Sequence, residues 1–328
     1  MLSLCVGVLS VSAGQVLNDL WTMLVESSPL ANQSTDAAAI LLIRLPRLIL
    51  ALLIGAALAQ SGAAMQGIFR NPMADPSLLG ISSGAAFAAA LIIVLGQRLP
   101  WLQSFNLTYL LPLACFTGGI LTAWLVARLA TTNGYTRVST LLLGGLAINA
   151  LINAGIGLLA YLANDTALRS LTFWMFGSLG KAGWDEILIA LPFILIPLLL
   201  IPRYASALNA LLLGEAEATH LGVDVEKLKR RLMLLAILAV STSVSLAGVI
   251  GFVGLITPHL LRLWAGPDHR LLLPASALLG GLLMICADVV SRLLMSPAEI
   301  PIGILTALVG GPFFLVLLLR HRNNPDAL

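Results

Sequence analysis

The chain has 328 residues, of which 59% are hydrophobic and 10% charged, and a formal net charge of +3. Soluble domains carry about 25% charged residues, so the composition excludes an ordinary water-soluble globule and places the chain in lipid. Its Lys and Arg residues are dispersed among the apolar runs, which argues against a nucleic-acid partner.

The first apolar run, residues 1–17, is short for a span and carries neither a basic n-region nor the small-residue site of a cleavable signal. Continuous apolar runs follow. About 20 apolar residues cross the hydrocarbon as a helix, and continuous runs favour helices over a barrel. They predict ten spans: 1–17, 48–68, 78–96, 108–128, 138–162, 187–202, 232–247, 250–264, 271–290 and 301–319. The expected fold class is therefore an all-α polytopic membrane protein, one transmembrane domain over 1–328. The Gly-rich stretch SLAGVIGFVGLITPH nearly merges the seventh and eighth spans. Small residues at 55–57, 62–64, 118–119, 144–145 and 280–281 permit close helix approach, either within one subunit or at a moving interface.

Ten spans put both termini on one side. With the termini cytoplasmic, Lys and Arg at 70, 128, 137, 203, 227, 229, 230, 231, 262, 270, 320 and 322 face inward. Those at 44, 47, 98, 169, 181 and 292 face outward. The excess favours this orientation.

Residues 205–231 interrupt the apolar pattern. Ala, Leu, Glu and Lys give them high helix propensity, and Gly214 and Gly222 divide them into short pieces. Leu213, Ala218 and Leu221 are expected to share an apolar face edged by Glu215 and His220. Such a segment suits the groove of a soluble partner; a helix lying on the membrane would favour Lys and Arg on its polar face. The chain contains no G-x-x-x-x-G-K-[ST] loop, since its only Gly-Lys pair, Gly180-Lys181, continues into Ala182. If ATP drives this protein, another subunit must bind and hydrolyse it.

At this point a family resemblance is visible. Gly214-Glu215-x-x-Ala218-x-x-Leu221-Gly222-Val223 resembles the coupling segment of ATP-binding-cassette importer permeases of the iron-chelate and vitamin B12 class, the FecCD family. Ile43-Arg44-Leu45-Pro46-Arg47 resembles its I-R-L-P-R motif. Gln66 with Asn71-Pro72-Met73-Ala74-Asp75-Pro76 through Leu79-Gly80 resembles its N-P-L-A-x-P-x-x-L-G loop. Gly251-Phe252-Val253-Gly254-Leu255 with Pro258-His259 resembles G-F-I-G-L-x-x-P-H, and Pro297-Ala298-Glu299-Ile300-Pro301-Ile302-Gly303 resembles A-x-E-L-P-I-G-x-x-T. The N-terminus departs from the pattern, lacking the basic leader and full first helix.

The resemblance implies a type II importer fold in a bacterial inner membrane, a homodimer with a central pathway, two ATPase subunits beneath it and a periplasmic substrate-binding protein above it. It implies ATPase coupling at Gly214, Glu215, Ala218, Leu221 and Gly222, within the cytoplasmic segment 205–231. Arg44, Arg47 and Arg292 are implied to dock the binding protein. Arg binds carboxylate in a fork, and rim charges steer encounter; the competing reading is an anchor at the lipid interface. Asp288, four residues before Arg292, is expected to share its helical face and pair with it in part.

The block 144–180 looks most like the haem-uptake branch, so haem is the expected cargo, with a ferric siderophore or cobalamin as the alternative. Arg169, beside Phe173-Trp174-Met175-Phe176, suits the propionates of a flat anionic ring, or else an interfacial aromatic belt with its anchoring charge. Ser82 and Ser83 either narrow the inner gate or cap a helix. Asp75 is read as a cap or contact residue near the ATPase side. The four histidines fall at or near the cytoplasmic side, so haem would pass without His ligation. No cofactor is expected in this chain.

Two other classes fit less well. An ion-gradient transporter needs intramembrane ligands, and only Asp288 falls inside a span. An intramembrane enzyme needs a metal motif or a carboxylate pair, and the sequence shows neither.

Overall fold

The computed structural model describes residues 40–96, 107–132, 135–136, 138–180, 182–295 and 298–323. These fold into twelve α-helices: α1 (Leu45–Phe69), α2 (Ile81–Leu95), α3 (Leu107–Ala130), α4 (Val138–Leu162), α5 (Asp165–Met175), α6 (Trp184–Leu200), α7 (Ala205–Leu213), α8 (Glu215–His220), α9 (Val225–Ala247), α10 (Val253–Ala265), α11 (His269–Leu294) and α12 (Ile302–Asn323). A two-residue antiparallel ribbon, β1 (Thr131–Thr132) with β2 (Tyr135–Thr136), joins α3 to α4. The expected first span lies outside the described residues.

Among the described residues, six helical stretches are long and apolar enough to cross a membrane: Leu42–Phe69, Tyr109–Ala130, Ser139–Leu162, Trp184–Leu213, Val225–Ala247 and His269–Leu294. The exact count of ten is not confirmed; Ile81–Leu95 and Ile302–Leu317 are shorter apolar helices. At 1.5 Å per residue, α10 measures about 20 Å and α2 about 22 Å, against a hydrocarbon core of about 30 Å. Both start deep in the bundle, because the chain before each is irregular. Such backbone is tolerated at depth only where protein buries it or it lines a cavity.

α1 occupies the centre. Almost every residue from Ile54 to Phe69 is buried, as expected of a helix that is apolar or small all round. α11 packs along it antiparallel, so that Gly67 faces His269 at one end and Arg47 faces Asp288 at the other. Glycine makes the contact possible: a Cβ at Gly55 would come within 2.2 Å of the Gly280 carbonyl oxygen, and one at Gly62 within 1.9 Å of that of Gly254. α9, α10 and α6 close the remaining sides of α1. The small-residue clusters at 55, 62, 118 and 280 therefore pack inside the subunit. Gly144 is different, with open space where its Cβ would stand.

The outer faces of α3 and α4 are apolar and exposed, with Leu121, Trp124, Leu143, Leu146 and Leu151 among them. Asn153, on the same side of α4, is exposed as well. The stretch that follows the fifth expected span forms α5, capped by the Asn164 side chain accepting from the Ala167 N–H at 2.8 Å.

Candidate translocation and coupling sites

Two irregular segments meet midway along α1. The stretch after α1 folds back into the bundle, where Asp75 caps a 3₁₀ turn by accepting from the Ser77 N–H at 2.7 Å. The Gly-rich break between α9 and α10 faces it, with Gly248 at φ 73° and Phe252 at φ 68°. A left-handed non-glycine residue is strained, and Phe252 is held there by packing against α12, where a Cβ on Gly310 would touch its ring. Gln66 fixes the first turn of α10 from α1, its Nε2 donating to the Gly254 carbonyl at 3.3 Å.

Between the segments lies a cavity of about 160 Å³, lined by Leu58, Asp75, Ser77, Ser82, Val240 and Phe252 among others. Asp75 does act as a cap, but it lies opposite Gly254 in mid-bundle and not at the bundle's end. Ser82 faces the cavity. The Ser83 hydroxyl donates to the Gly80 carbonyl at 3.1 Å and also bonds Asn149 of α4.

The arginines expected at the rim form a different arrangement. Arg47 is 8% exposed. Its Nε donates to Asp288 Oδ1 at 2.8 Å, and its two terminal nitrogens fork onto Glu299 at 2.9 Å each. Arg292 pairs with the other Asp288 oxygen at 3.0 Å, the partnership its spacing on α11 implied. Both sides of the Arg47 guanidinium are engaged by carboxylates of its own chain. Arg44 is half-buried at the same end. Glu299, missed by sequence reasoning as a partner, has a side chain 42% exposed.

Arg169 and Phe173, one turn apart on α5, form a cation–π pair with the guanidinium carbon 5.8 Å from the ring centroid. Both are exposed, while Ala167 and Leu171 turn into the protein.

At the Gly67–His269 end, α7 runs into α8 through Gly214, whose φ of 136° and ψ of 157° break the helix. α8 is six residues long and ends where Gly222 takes a φ of 84°. Ala218 is completely buried, whereas Leu213 and Leu221 stand out into solvent, Leu221 64% exposed. The single apolar face expected for these three does not form. The break at Gly214 leaves Leu213 on α7, and Leu221 lies past the last turn of α8. Glu215, half exposed, pairs with the buried Lys229 at 2.8 Å. Asp224 caps α9 and is held below the usual aspartate range by the Lys227 side chain first and its backbone N–H next.

The family model of the FecCD transport family matches residues 1–320. The chain belongs to the FecCD family. It is 48% identical over 282 residues to the hemin transport system permease protein HmuU of Yersinia pestis, covering 86% of this chain and 83% of that protein. It is 45% identical to the cobalamin import system permease protein BtuC of Halobacterium salinarum, covering 86% and 73%. It is also 38% identical to the iron(3+)-hydroxamate import system permease protein FhuG of Bacillus subtilis, covering 84% and 82%. Among solved structures, an inward-facing metal-chelate type ABC transporter superposes with a TM-score of 0.79 at 35% identity, over 94% of this chain and 98% of that one. The FecCD chain is accordingly a multi-pass permease component of an ABC importer, with the type II importer fold.

Proposed function

We propose that this chain is the permease subunit through which haem crosses a bacterial inner membrane, working as a homodimer with two ATPase subunits and a substrate-binding protein. The observation that carries the coupling role is α8: a six-residue helix set off by Gly214 and Gly222, with Ala218 seated in the bundle and Leu221 outward. A short rigid element held on one face and open on the other is suited to enter a partner's groove and move with it. Gly214, Glu215, Ala218, Leu221 and Gly222 are the coupling residues within the segment 205–231. The ATP is bound and hydrolysed by the partners. Both termini and α8 lie on the cytoplasmic side.

Cargo passes between two copies of the chain. Supporting this is the exposed Asn153 on α4, one turn from Asn149 and its bond to Ser83. A polar side chain on the outside of a membrane helix fits a pathway or a second subunit better than lipid. Ser82 and Ser83 line the narrow part, and Arg169 on α5 receives a carboxylate of the cargo. Arg44 meets the acidic surface of the binding protein, with Arg47 and Arg292 supporting that end from beneath. The similarity to a hemin permease favours haem.

Stimulation of ATP hydrolysis by binding protein loaded in turn with haem, a ferric hydroxamate and cobalamin tests the cargo. The haem-loaded form should stimulate most. Greater stimulation by another cargo would reassign it.

A further inference from the structure

α8 is too short to hold itself as a helix, since isolated helices under about 12 residues are marginal, so its position depends on what ties it to the bundle. Two polar clamps do so. On the α7 side, Asn209 grips the start of α11: its amide Nδ2 donates to Asp268 Oδ1 at 2.6 Å, and its Oδ1 accepts the His269 N–H at 2.9 Å. On the other side stands Lys229, only 2% exposed. Its Nζ lies 2.8 Å from Glu215 Oε1 on α8 and 3.3 Å from Glu226 Oε1 on α9. The second oxygen of Glu226 accepts the Thr136 N–H at 3.1 Å, in the ribbon between α3 and α4. One ammonium therefore joins α8, α9 and the α3–α4 connection.

The setting distinguishes this link from a surface ion pair. The ammonium is buried, while Glu215 and Glu226 edge an open groove of about 680 Å³ between α8 and the ribbon. A displacement of α8 moves one carboxylate of the pair and leaves the other on α9. With the cation between them, the second must follow or the buried charge loses a partner, which is costly. Without it the two carboxylates repel and α8 slips.

We propose that Lys229 is the positioning residue that passes movement of α8 to α9 and, through Glu226, to the α3–α4 ribbon. The inference rests on the coupling role proposed for α8.

The test uses the full chain reconstituted with its ATPase subunit in vesicles. Cys5, Cys115 and Cys286 are replaced by alanine, and a reporter, Ser82→Cys, is placed at the mid-bundle cavity. The readout is the change in reporter labelling by a maleimide on adding ATP, divided by ATP hydrolysed. Lys229→Met should lower this ratio at least fivefold, and Lys229→Arg, which keeps a cation between the carboxylates, should hold it within twofold. A ratio unchanged in Lys229→Met, or lowered equally in Lys229→Arg, overturns the proposal. If Lys229→Met does not assemble, Glu215→Gln, which leaves the Lys229–Glu226 pair, should lower the ratio at least threefold; no change overturns the proposal. If the chain with Lys229 intact shows no ATP-dependent change in labelling, the coupling role of α8 fails, and this inference with it.

Discussion

Arg47 and Asp288 stand 241 positions apart and share a buried ion pair of 2.8 Å, joining the start of α1 to the end of α11. Two guanidiniums divide this carboxylate, Arg47 on one oxygen and Arg292 on the other. Removing it leaves both short of a partner in a dry setting, which costs about 3–5 kcal/mol. Asp288→Ala should therefore lower the thermal midpoint of the detergent-solubilised protein far more than Glu299→Gln, whose partly exposed pair is worth about 1 kcal/mol. Equal effects of the two would contradict the central place given to Asp288.

The rim arginines should separate by role. Arg44→Glu should weaken capture of the binding protein and blunt the salt dependence of that capture, with the permease still folded. Arg47→Glu should instead destabilise the permease itself, because it sets a third carboxylate against Asp288 and Glu299. Binding titrations at several ionic strengths, paired with thermal unfolding, distinguish these outcomes.

The glycines on α1 should tolerate nothing larger. Gly55→Leu drives a side chain into the Gly280 backbone and should cost at least the 1–3 kcal/mol typical of overpacking, about. Gly144→Ala, in the interior of α4 with open space around it, should raise the thermal midpoint slightly, by about 0.5–1 kcal/mol of helix propensity.

Asp268 at the head of α11 should confer acid sensitivity. Its carboxyl is held below the ordinary value of 3.8, first by the Arg270 backbone N–H and then by the Asn209 amide. Because the folded value is the lower one, ionised Asp268 favours the folded end of α11 above pH 3.8, and that contribution disappears as the pH falls through the folded value. Thermal midpoints followed from neutral to acid pH should fall less steeply in Asp268→Asn than in the unaltered protein. Parallel profiles would refute the assignment.

The spans were legible because membrane helices announce themselves by composition; α4 begins and ends at the residues the apolar run marks, Val138 and Leu162. Lengths were less legible: the run at 250–264 reads as a full span in hydropathy, and α10 is 13 residues long. The helix α5 has its signals in the sequence, which the span count does not use: Asn164 to cap it, Ala167 and Leu171 on one face, and Arg169 and Phe173 one turn apart. The charged cluster could not be read at all. The motifs containing Arg47 and Glu299 were both noticed, but nothing local says that 252 residues of chain bring them together. Lys229 was hidden differently, counted among four neighbouring basic residues as a marker of the inner side, when burial sets it apart from the rest.

Energy entry through α8 is tested most directly at Leu221, the exposed residue just past its last turn. With the native cysteines replaced, Leu221→Cys in the detergent-solubilised permease should react readily with maleimide alone and be protected, at least tenfold in rate, when the ATPase subunit is bound. Labelling at the same rate with and without the bound ATPase would place the engine elsewhere on the bundle and contradict the assignment of α8.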